Sequence, residues 1–263
     1  MKPTIFGAVL GHNLVVVSDA HLGATPPSVE EVFLAFLDAV PDLGDCLLVN
    51  GDLFDFWFSY SRVIPRRGFR VAAALARLAV RLPVAMVGGN HDRWGGDFWE
   101  REGGLRFAPR RLTFQVGRRT VAAIHGDGLT EPHLRASLLH RVVNHPITAA
   151  VYSVIPPALG LRLVDRFSRH LGDHTRDEEL LHNGAIRQRA WAAGLLSSEP
   201  ELGLVIMAHT HRAALIELLP GREYLNPGAW FDGYRYALVT ETGAELRQFN
   251  PGAPPPPRQA APR

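Results

Sequence analysis

The chain has 263 residues, of which 46% are hydrophobic and 21% charged, so it is long enough and apolar enough to bury a sizeable core. Its formal net charge is only +2 and no long basic stripe with interleaved aromatic residues occurs, so a nucleic-acid partner is not expected. No uninterrupted apolar run reaches the roughly 18–20 residues that a membrane-spanning helix requires.

The single cysteine and the N-terminal sequence bear on the cellular compartment. Cys46 has no second cysteine with which to form an intrachain disulfide, which fits a reducing environment. Its place in an apolar run favours a buried, inert thiol over a nucleophile. The N-terminus lacks a basic segment followed by an apolar core of signal length, and we therefore expect a soluble, cytoplasmic protein.

The first half of the chain alternates apolar runs with stretches of helical periodicity. Buried strands are predicted at 14–19, 46–50 and 84–87, and helices are predicted at 28–40 and 69–81. Ser28 and Glu31 have the spacing of a capping box, which indicates where the first helix begins. Residues 94–102 fit a short helix or a loop.

The second half begins with two short strands and continues as a long helical stretch. The strands are predicted at 112–116 and 120–124, and the helical stretch runs from Leu129 to about Leu196. A buried strand follows at 203–208. Four short strands, at 213–219, 224–226, 236–240 and 244–249, predict a closing antiparallel sheet.

This alternation of buried strands and helices, followed by a strand-rich end, predicts an α/β sandwich. We expect one domain over residues 1–250, with the helical stretch at about 129–196 inserted between two core strands. The core needs this insertion least. The proline-rich tail at 251–263 is typical of a disordered segment.

Polar side chains follow five of the predicted strands, at the point where each strand ends. Open α/β sheets bind ligands at the carboxyl ends of their strands, so these side chains are candidates for one shared site. All of them are oxygen or imidazole donors and none is a thiolate, a set that suits Mn²⁺, Fe²⁺ or Zn²⁺. The candidate metal ligands are Asp19, His21, Asp52, Asn90, His125, His209 and His211.

Seven donors are too many for one ion and suit two ions that share a bridging carboxylate. Two metal ions about 3.5–4 Å apart clamp the attacking and leaving oxygens of a phosphoryl transfer. An Asp or His that follows a single strand is more often a cap or a turn residue. The repetition of the pattern along the chain favours the dinuclear site.

The order of these motifs resembles that of the calcineurin-like metallophosphoesterase family: Asp-x-His, Gly-Asp, Gly-Asn-His-Asp, His and His-x-His. The resemblance covers roughly residues 12–128 and 203–250, and it implies a four-layer α/β/β/α sandwich with a helical lid insertion. It also implies that Asp19, His21 and His211 hold one metal, that Asn90, His125 and His209 hold the other, and that Asp52 bridges them. The chain departs from the family at Ala208, where glycine is usual.

The resemblance implies that His91 and Asp92 are catalytic residues and not metal ligands. His91 would face the phosphate, where it would stabilise the charge or protonate the leaving oxygen. Asp92 would hold the imidazole in the right tautomer. The alternative for His91 is a passive turn residue.

A second resemblance concerns the substrate. Four segments are similar to motifs of the UDP-2,3-diacylglucosamine diphosphatase family: Ser18-Asp-Ala-His-Leu22, Gly51-Asp-Leu-Phe-Asp-Phe-Trp57, Ile124-His-Gly-Asp127 and Asn226-Pro-Gly-Ala-Trp230. That family cleaves the pyrophosphate of a lipid-linked sugar nucleotide in lipid A biosynthesis, usually with Mn²⁺. In its best-known branch an arginine that contacts the lipid phosphate stands where this chain has His91.

The composition of the insertion is consistent with a lipid substrate. Residues 147–161 are strongly apolar but broken by Pro156 and Pro157, which suits an acyl-chain groove or a peripheral contact with the inner membrane surface. Basic residues that could meet phosphate or anionic head groups follow: Arg162, Arg166, Arg169, His170 and Arg176. The alternative is an ordinary helical hairpin whose apolar face packs on the core.

Three hypotheses for the function remain open. The first is a Mn²⁺-dependent hydrolase of UDP-2,3-diacylglucosamine. The second is a metallophosphoesterase that acts on soluble nucleotides, phosphomonoesters, diesters or phosphoproteins. The third is a non-catalytic scaffold on the same fold, which the complete set of ligand positions disfavours. The sequence leaves the oligomeric state open.

Overall fold

The structure, a computed structural model, describes residues 4–60, 63–129, 146–157, 159–160, 162 and 178–252. Within these ranges the chain forms twelve strands and five helices. The strands are β1 (Thr4–Gly11), β2 (Asn13–Val17), β3 (Cys46–Asn50), β4 (Val84–Val87), β5 (Arg106–Ala108), β6 (Arg111–Val116), β7 (Arg119–Ile124), β8 (Leu202–Ile206), β9 (Ala214–Leu219), β10 (Arg222–Asn226), β11 (Arg235–Thr240) and β12 (Ala244–Gln248). The helices are α1 (Pro27–Leu43), α2 (Phe69–Ala79), α3 (Phe98–Arg101), α4 (Pro146–Ser153) and α5 (Glu178–Ser198).

The strands form two six-stranded sheets, each named here after one of its central strands. The β3 sheet has the order β12-β11-β2-β3-β4-β5, and the β7 sheet has the order β1-β6-β7-β8-β10-β9. Strands β2, β3, β4 and β5 run parallel to one another, and so do β7, β8 and β10. The loops that follow the parallel strands of a sheet therefore meet at one of its edges.

The two sheets pack face to face, and helices cover their outer faces. Val15 and Leu47 of the β3 sheet pack with α1 and α2, whereas their neighbours Leu14 and Leu48 pack between the two sheets. Helix α5 covers the other side, where Leu196 packs against the β7 sheet. The four-layer α/β/β/α sandwich is confirmed.

Helix α1 begins two residues earlier than a capping box with Ser28 at the N-cap indicates. It starts at Pro27 with Pro26 at its N-cap and no side-chain cap bond, so Ser28 lies inside the helix and the predicted capping box is wrong. Proline suits the first helical position because its φ is already helical and its missing N–H needs no partner. The predicted apolar face, with Phe33 and Phe36, is buried.

The predicted closing antiparallel sheet is also wrong. Strands β9 and β10 extend the β7 sheet, whereas β11 and β12 extend the β3 sheet. Between the two pairs, Trp230 is fully buried against Phe33 and Phe36 of α1, on the outer side of the β3 sheet. Burial of this large indole draws the chain away from the β7 sheet and separates the two pairs.

Two strands, β1 and β5, lie outside the prediction. Strand β1 contains a glycine and pairs with β6 with shifts in register, and β5 has only three residues. Such strands show too little alternation to be recognised from sequence. Cys46 is buried in β3, and desolvation raises the pKa of its thiol, which confirms the prediction of an inert cysteine.

One helix of the insertion, α5, contributes to the hydrophobic core. Ala192 and Leu196 of α5 pack in one cluster with Leu202, Val205 and Tyr224, so this last helix forms the fourth layer. The bounds of the insertion and the tail stay predictions, because 130–145, 163–177 and 253–263 lie outside the described residues, as do Arg166, Arg169, His170 and Arg176. None of the helices within the described ranges is long and apolar enough to cross a membrane.

Candidate metal centre

The predicted metal ligands lie directly after parallel strands of the two sheets. On the β3 sheet, Asp19 and His21 follow β2, Asp52 follows β3 and Asn90 follows β4. On the β7 sheet, His125 follows β7, and a His-x-His pair follows β8. Seven donors thus come from neighbouring strand ends, although they are separated by up to 192 positions in sequence: Asp19, His21, Asp52, Asn90, His125, His209 and His211.

Six of these side chains form two clusters. The candidate ligand atoms of Asp19, His21 and His211 lie within 4.8 Å of one another, and so do those of Asp52, His125 and His209. Within the first cluster, the Nε2 atoms of His21 and His211 are 3.3 Å apart. The first cluster is the group that the resemblance assigned to one metal, and the second joins two of the three residues assigned to the other metal with the predicted bridge Asp52.

Asp52 belongs to the second cluster and also approaches the first. Its Oδ2 atom is 3.1 Å from Nε2 of His125 and 3.9 Å from Nε2 of His21. Its Oδ1 atom accepts a hydrogen bond from the backbone N–H of His91 at 3.0 Å. A carboxylate in this position reaches both clusters with one oxygen, as a bridging ligand must.

Asn90 supplies an independent test of the metal hypothesis. Its Oδ1 atom is buried and has no hydrogen-bond partner in the described part of the chain. A buried polar atom without a partner is costly, and native proteins rarely retain one without a ligand or water. The amide oxygen is thus suited to a cation, which fits the donor chemistry of the neighbouring cluster.

The backbone at the site is strained in a repeated way. Among the described residues, six non-glycine residues have positive φ, and five of these are predicted metal ligands. The five are Asp19 at 51°, His21 at 45°, Asp52 at 50°, His209 at 70° and His211 at 57°. Left-handed backbone costs roughly 1–3 kcal/mol for such residues and is retained mainly where function requires it.

Two glycines let the ligand-bearing turns approach each other. A Cβ atom at Gly89 would lie 2.1 Å from Oδ1 of Asp52, and one at Gly51 would lie 2.4 Å from Nδ1 of His125. Real Cβ atoms do not approach this closely. Only glycine at these two positions allows the strand ends to meet.

Hydrogen bonds orient the histidine rings. The Nδ1 atom of His125 donates to the carbonyl of Asn50 at 2.9 Å, which leaves Nε2 toward Asp52. Nδ1 of His91 donates to the carbonyl of Asp55 at 2.6 Å. Because a carbonyl only accepts, both rings carry their proton on Nδ1 and present an Nε2 lone pair when neutral.

Asp92 does not have the predicted contact with His91. Its carboxylate accepts hydrogen bonds from three backbone amides: those of Gly89 at 2.8 Å, Leu53 at 2.7 Å and Asp52 at 3.3 Å. The tight turn after Gly89 points the carboxylate back to the N–H of Gly89 and across to the turn after β3. Asp92 therefore ties the turn after β4 to the turn after β3, and the carbonyl of Asp55 orients His91 instead.

Burial and mutual repulsion set the charges of the carboxylates. Burial raises the pKa of Asp19, against the attraction of His211 and His125. Burial and the charge of Asp52 raise the pKa of Asp92 to about 6. Burial also acts to raise the pKa of Asp52, but the surrounding histidines His125, His91 and His21 hold it well below its usual range.

The imidazoles divide into two classes. Burial lowers the pKa of His21 well below its ordinary value, and burial together with His125 lowers that of His209 to about 3. For His125 and His91 burial has the same direction, but the negative charge of Asp52 outweighs it, so both pKa values are raised, that of His125 to about 10.

Two groups support the histidine turn after β8: Gln188, which the sequence analysis missed, and Asn226, whose motif it quoted without this role. Gln188 of α5 is fully buried and donates from Nε2 to the carbonyl of Ala208 at 2.9 Å. Asn226 donates to the same carbonyl at 3.3 Å and to Oγ1 of Thr210 at 3.1 Å. A polar side chain on a helix that otherwise buries small apolar residues was the available signal for Gln188.

Another missed residue is Phe231, which follows the Asn226-Pro-Gly-Ala-Trp230 motif. Its ring lies edge-on to the rings of His21 at 5.7 Å and His211 at 5.2 Å between centroids, and the residue is 39% exposed. It forms an apolar wall beside the first cluster. The quoted motif ends one residue before it.

The geometry agrees with the family comparison. A family model for calcineurin-like phosphoesterases matches residues 12–213 of the chain. The chain belongs to the calcineurin-like phosphoesterase family. Members of this family use divalent metal ions, so the prediction that the protein is a metal-dependent phosphoesterase is confirmed.

Curated relatives that match the phosphoesterase over most of its length share one name. The UDP-2,3-diacylglucosamine hydrolase of Porphyromonas gingivalis is 26% identical over 252 residues, covering 88% of this chain and 95% of its own. The hydrolase of that name from Serratia proteamaculans is 25% identical and covers 90% of this chain and 99% of its own. For the one from Escherichia coli, at 25% identity, the shares are 89% and 97%.

Solved structures that match the phosphoesterase are more distant. Vacuolar protein sorting 29 from Cryptosporidium parvum is 15% identical with a TM-score of 0.45, covering 92% of this chain and 93% of its own. A dimetal phosphatase from Danio rerio is 10% identical with a TM-score of 0.44, covering 91% and 99%. The family assignment therefore depends on the family model and not on these likenesses.

Proposed function

We propose that this phosphoesterase hydrolyses the pyrophosphate of UDP-2,3-diacylglucosamine to a lipid monosaccharide phosphate and UMP, a step of lipid A biosynthesis. One observation carries the proposal: relatives with that name match 88–90% of the chain, so the match is not confined to the metal-binding core. The complete donor set at the strand ends supports the same reaction type.

Two divalent cations fit the donors. In the proposal one is held by Asp19, His21 and His211, the other by Asn90, His125 and His209, and Asp52 bridges them. When bound, the cations neutralise charge on the phosphate oxygens and make water a stronger nucleophile near neutral pH. The mixed carboxylate, amide and imidazole donors favour Mn²⁺, with Fe²⁺ or Zn²⁺ as alternatives.

His91 acts on the phosphate side of this site. The carbonyl of Asp55 accepts a hydrogen bond from Nδ1–H, and the backbone N–H of His91 donates to Asp52, so the ring has a defined orientation. The centroid of this ring lies 4.9 Å from that of His21, which places it beside the first cluster. In this orientation Nε2 is the atom that stabilises the phosphate or protonates the leaving oxygen.

The insertion selects the lipid part of the substrate. Helix α4 packs on the loop after β3 through Tyr152, whose ring lies 4.7 Å from that of Phe58 and 5.7 Å from that of Phe56. The described part of the insertion also exposes the apolar side chains of Ile147, Val151, Val154 and Leu159. These apolar side chains suit acyl chains or, as a peripheral contact, the inner membrane surface.

A substrate panel tests the proposal. UMP release from UDP-2,3-diacylglucosamine in detergent micelles with MnCl₂ is compared with hydrolysis of bis-p-nitrophenyl phosphate under the same conditions. We expect kcat/KM for the lipid to exceed that for the small diester by at least about 100-fold, because binding of the remote acyl chains contributes to the rate. Equal or lower efficiency on the lipid contradicts the lipid assignment while leaving the phosphoesterase in place.

A second candidate is a phosphoesterase that acts on soluble nucleotides or other small phosphoesters. The observation that favours it is His91, which stands where the best-known lipid A branch has an arginine for the lipid phosphate. In the same panel this candidate predicts efficient turnover of a soluble nucleotide or diester and none of UDP-2,3-diacylglucosamine.

A further inference from the structure

A buried ion pair joins two of the turns that carry metal ligands. The guanidinium of Arg93 donates from Nη2 to Oδ2 of Asp127. The two side chains are only 5% and 7% exposed. Arg93 follows the Asn-His-Asp motif and Asp127 ends the His-Gly-Asp motif, yet neither residue has a part in the function proposed above.

The pair connects the two sheets. Arg93 lies three residues after Asn90 in the turn that follows β4, a strand of the β3 sheet. Asp127 lies two residues after His125 in the turn that follows β7, a strand of the other sheet. Of the ligands proposed for the second cation, Asn90 comes from the β3 sheet and His125 and His209 from the β7 sheet, so the ion pair spans the gap across which they must meet.

Arg93 also organises its own turn. Its Nε donates to the carbonyl of Gly89 at 3.1 Å, and its backbone N–H donates to the same oxygen at 3.1 Å. Gly88 makes room for it, since a Cβ there would lie 2.6 Å from the Cα of Arg93. The side chain thus holds the turn of Asn90 with one part of its guanidinium and Asp127 with another.

The neighbouring turn is tied to the β7 sheet by other means. The side chain of Asn50, at the end of β3, donates to the carbonyl of Ile124 at 3.2 Å, and His125 donates to the carbonyl of Asn50. These bonds position Asp52 relative to His125. They do not reach the turn of Asn90, which Arg93 connects to the β7 sheet.

We propose that the Arg93–Asp127 pair positions Asn90 against His125 and thereby determines the affinity for the second cation. The inference builds on the proposed dinuclear centre. Desolvating two charges offsets most of their attraction, so a buried pair is weak evidence for stability and is better explained by the geometry that it imposes. Partners behind metal ligands typically change metal affinity by roughly 10–100-fold when they are removed.

Calorimetric titration of the metal-free protein with MnCl₂ tests this. The native chain is expected to bind two ions. In Arg93→Met and in Asp127→Asn, we expect one site to weaken by roughly 10–100-fold while the other keeps its affinity, since Asp19, His21 and His211 lie in turns other than those of the pair. Arg93→Lys keeps the positive charge but loses the planar, forked guanidinium. Its affinity for the second Mn²⁺ ion should therefore fall between that of the native chain and that of Arg93→Met.

A double variant separates positioning from stability. Arg93→Met with Asp127→Leu replaces the pair with apolar side chains, which often restores the stability of a buried site. We expect its Tm to recover toward the native value while the second site stays weak. The matched control is Arg119→Met, which breaks the ion pair of Arg119 with Glu223 in the β7 sheet and should leave both Mn²⁺ affinities unchanged.

The outcomes distinguish this inference from the function on which it depends. Native affinity for both ions in the single variants, with only a lower Tm, overturns the positioning role. Recovery of both affinities in the double variant overturns it as well. A native chain that binds fewer than two Mn²⁺ ions contradicts the dinuclear centre itself, and the inference falls with it. The titration contains no substrate, so it is independent of the lipid assignment.

Discussion

The metal-binding edge, where the seven candidate ligands lie, and helix α4 are close together but differ in which side chains they bury and expose. At the edge, charged side chains such as Asp19 and Asp52 are buried and the backbone of five candidate ligands is left-handed. On α4 and directly after it, the apolar side chains of Val151 and Val154 are exposed. In the proposed function, the donors at the edge serve the hydrolysis of any phosphoester. The exposed apolar side chains at α4 serve only a substrate with an apolar part.

The loop that follows β3 connects the two regions. It carries Asp55, whose carbonyl orients His91, and Phe56 and Phe58, whose rings contact Tyr152 of α4. Changes at the edge should therefore affect every substrate, and changes on α4 only a lipid. The predictions below test this division, beginning with the largest effect.

Asp52→Ala should remove activity on lipid and soluble substrates alike. The bridging carboxylate contacts both clusters, so its loss disrupts both cation sites, and the loss of metal assistance is expected to cost on the order of 10³-fold or more in kcat. Steady-state kinetics with both substrates measure it. A variant that keeps near-native kcat with bound Mn²⁺ would refute the dinuclear mechanism.

His91→Asn should reduce kcat on both substrates by about 10²–10⁴-fold, which is the usual contribution of a general acid. His91 is not assigned to a metal, so calorimetry should still show two Mn²⁺ ions. Unchanged kcat would make it a passive turn residue. A lower kcat with lost metal would reveal a ligand role.

Gln188→Leu should destabilise the protein and weaken Mn²⁺ binding, which would show that α5 supports the metal-binding edge. The change removes the bond to the carbonyl of Ala208 and the acceptor for the hydroxyl of Tyr224, which is expected to cost about 1–3 kcal/mol in the free energy of unfolding. Mn²⁺ affinity should fall too, since the turn of His209 and His211 loses support. Ser197→Ala, on the exposed side of the same helix, is the control for chemical denaturation and titration.

Val151→Asp should lower kcat/KM for the lipid by about 10-fold and leave that for bis-p-nitrophenyl phosphate unchanged, because apolar burial of a valine contributes roughly 1.5–3 kcal/mol. Val80→Asp, at another exposed valine just beyond the end of α2, is the matched control. Equal losses on both substrates, or none, would remove α4 from substrate selection.

Tyr224→Phe should change the alkaline stability without changing the chemistry. Burial raises the pKa of Tyr224 from 10.0 to about 12, so its contribution is complete below pH 10 and is lost as pH rises from 10 toward 12. The variant lacks this titration, so its Tm relative to native should improve between pH 9 and pH 11. A constant difference across that range would contradict the shift.

The candidate site was predictable because its signals are local. A strand that ends in Asp-x-His or Gly-Asn-His-Asp shows both an apolar run and the donors that follow it, and the repetition of this pattern identifies one edge. Supporting contacts gave no such signal. Asp92 has the residue type of a histidine partner, but the tight turn at Gly89 directs it to backbone amides.

By itself, the sequence determined the alternation of elements, the two apolar faces of β2 and β3, and the donors at the strand ends, since each depends on residues adjacent in the chain. Only the tertiary structure decided which sheet each closing strand joins and that α5 completes the fourth layer. It also decided that the carbonyl of Asp55 orients His91 and that Arg93 forms an ion pair with Asp127. These outcomes depend on burial and on contacts between distant residues, which no local pattern encodes.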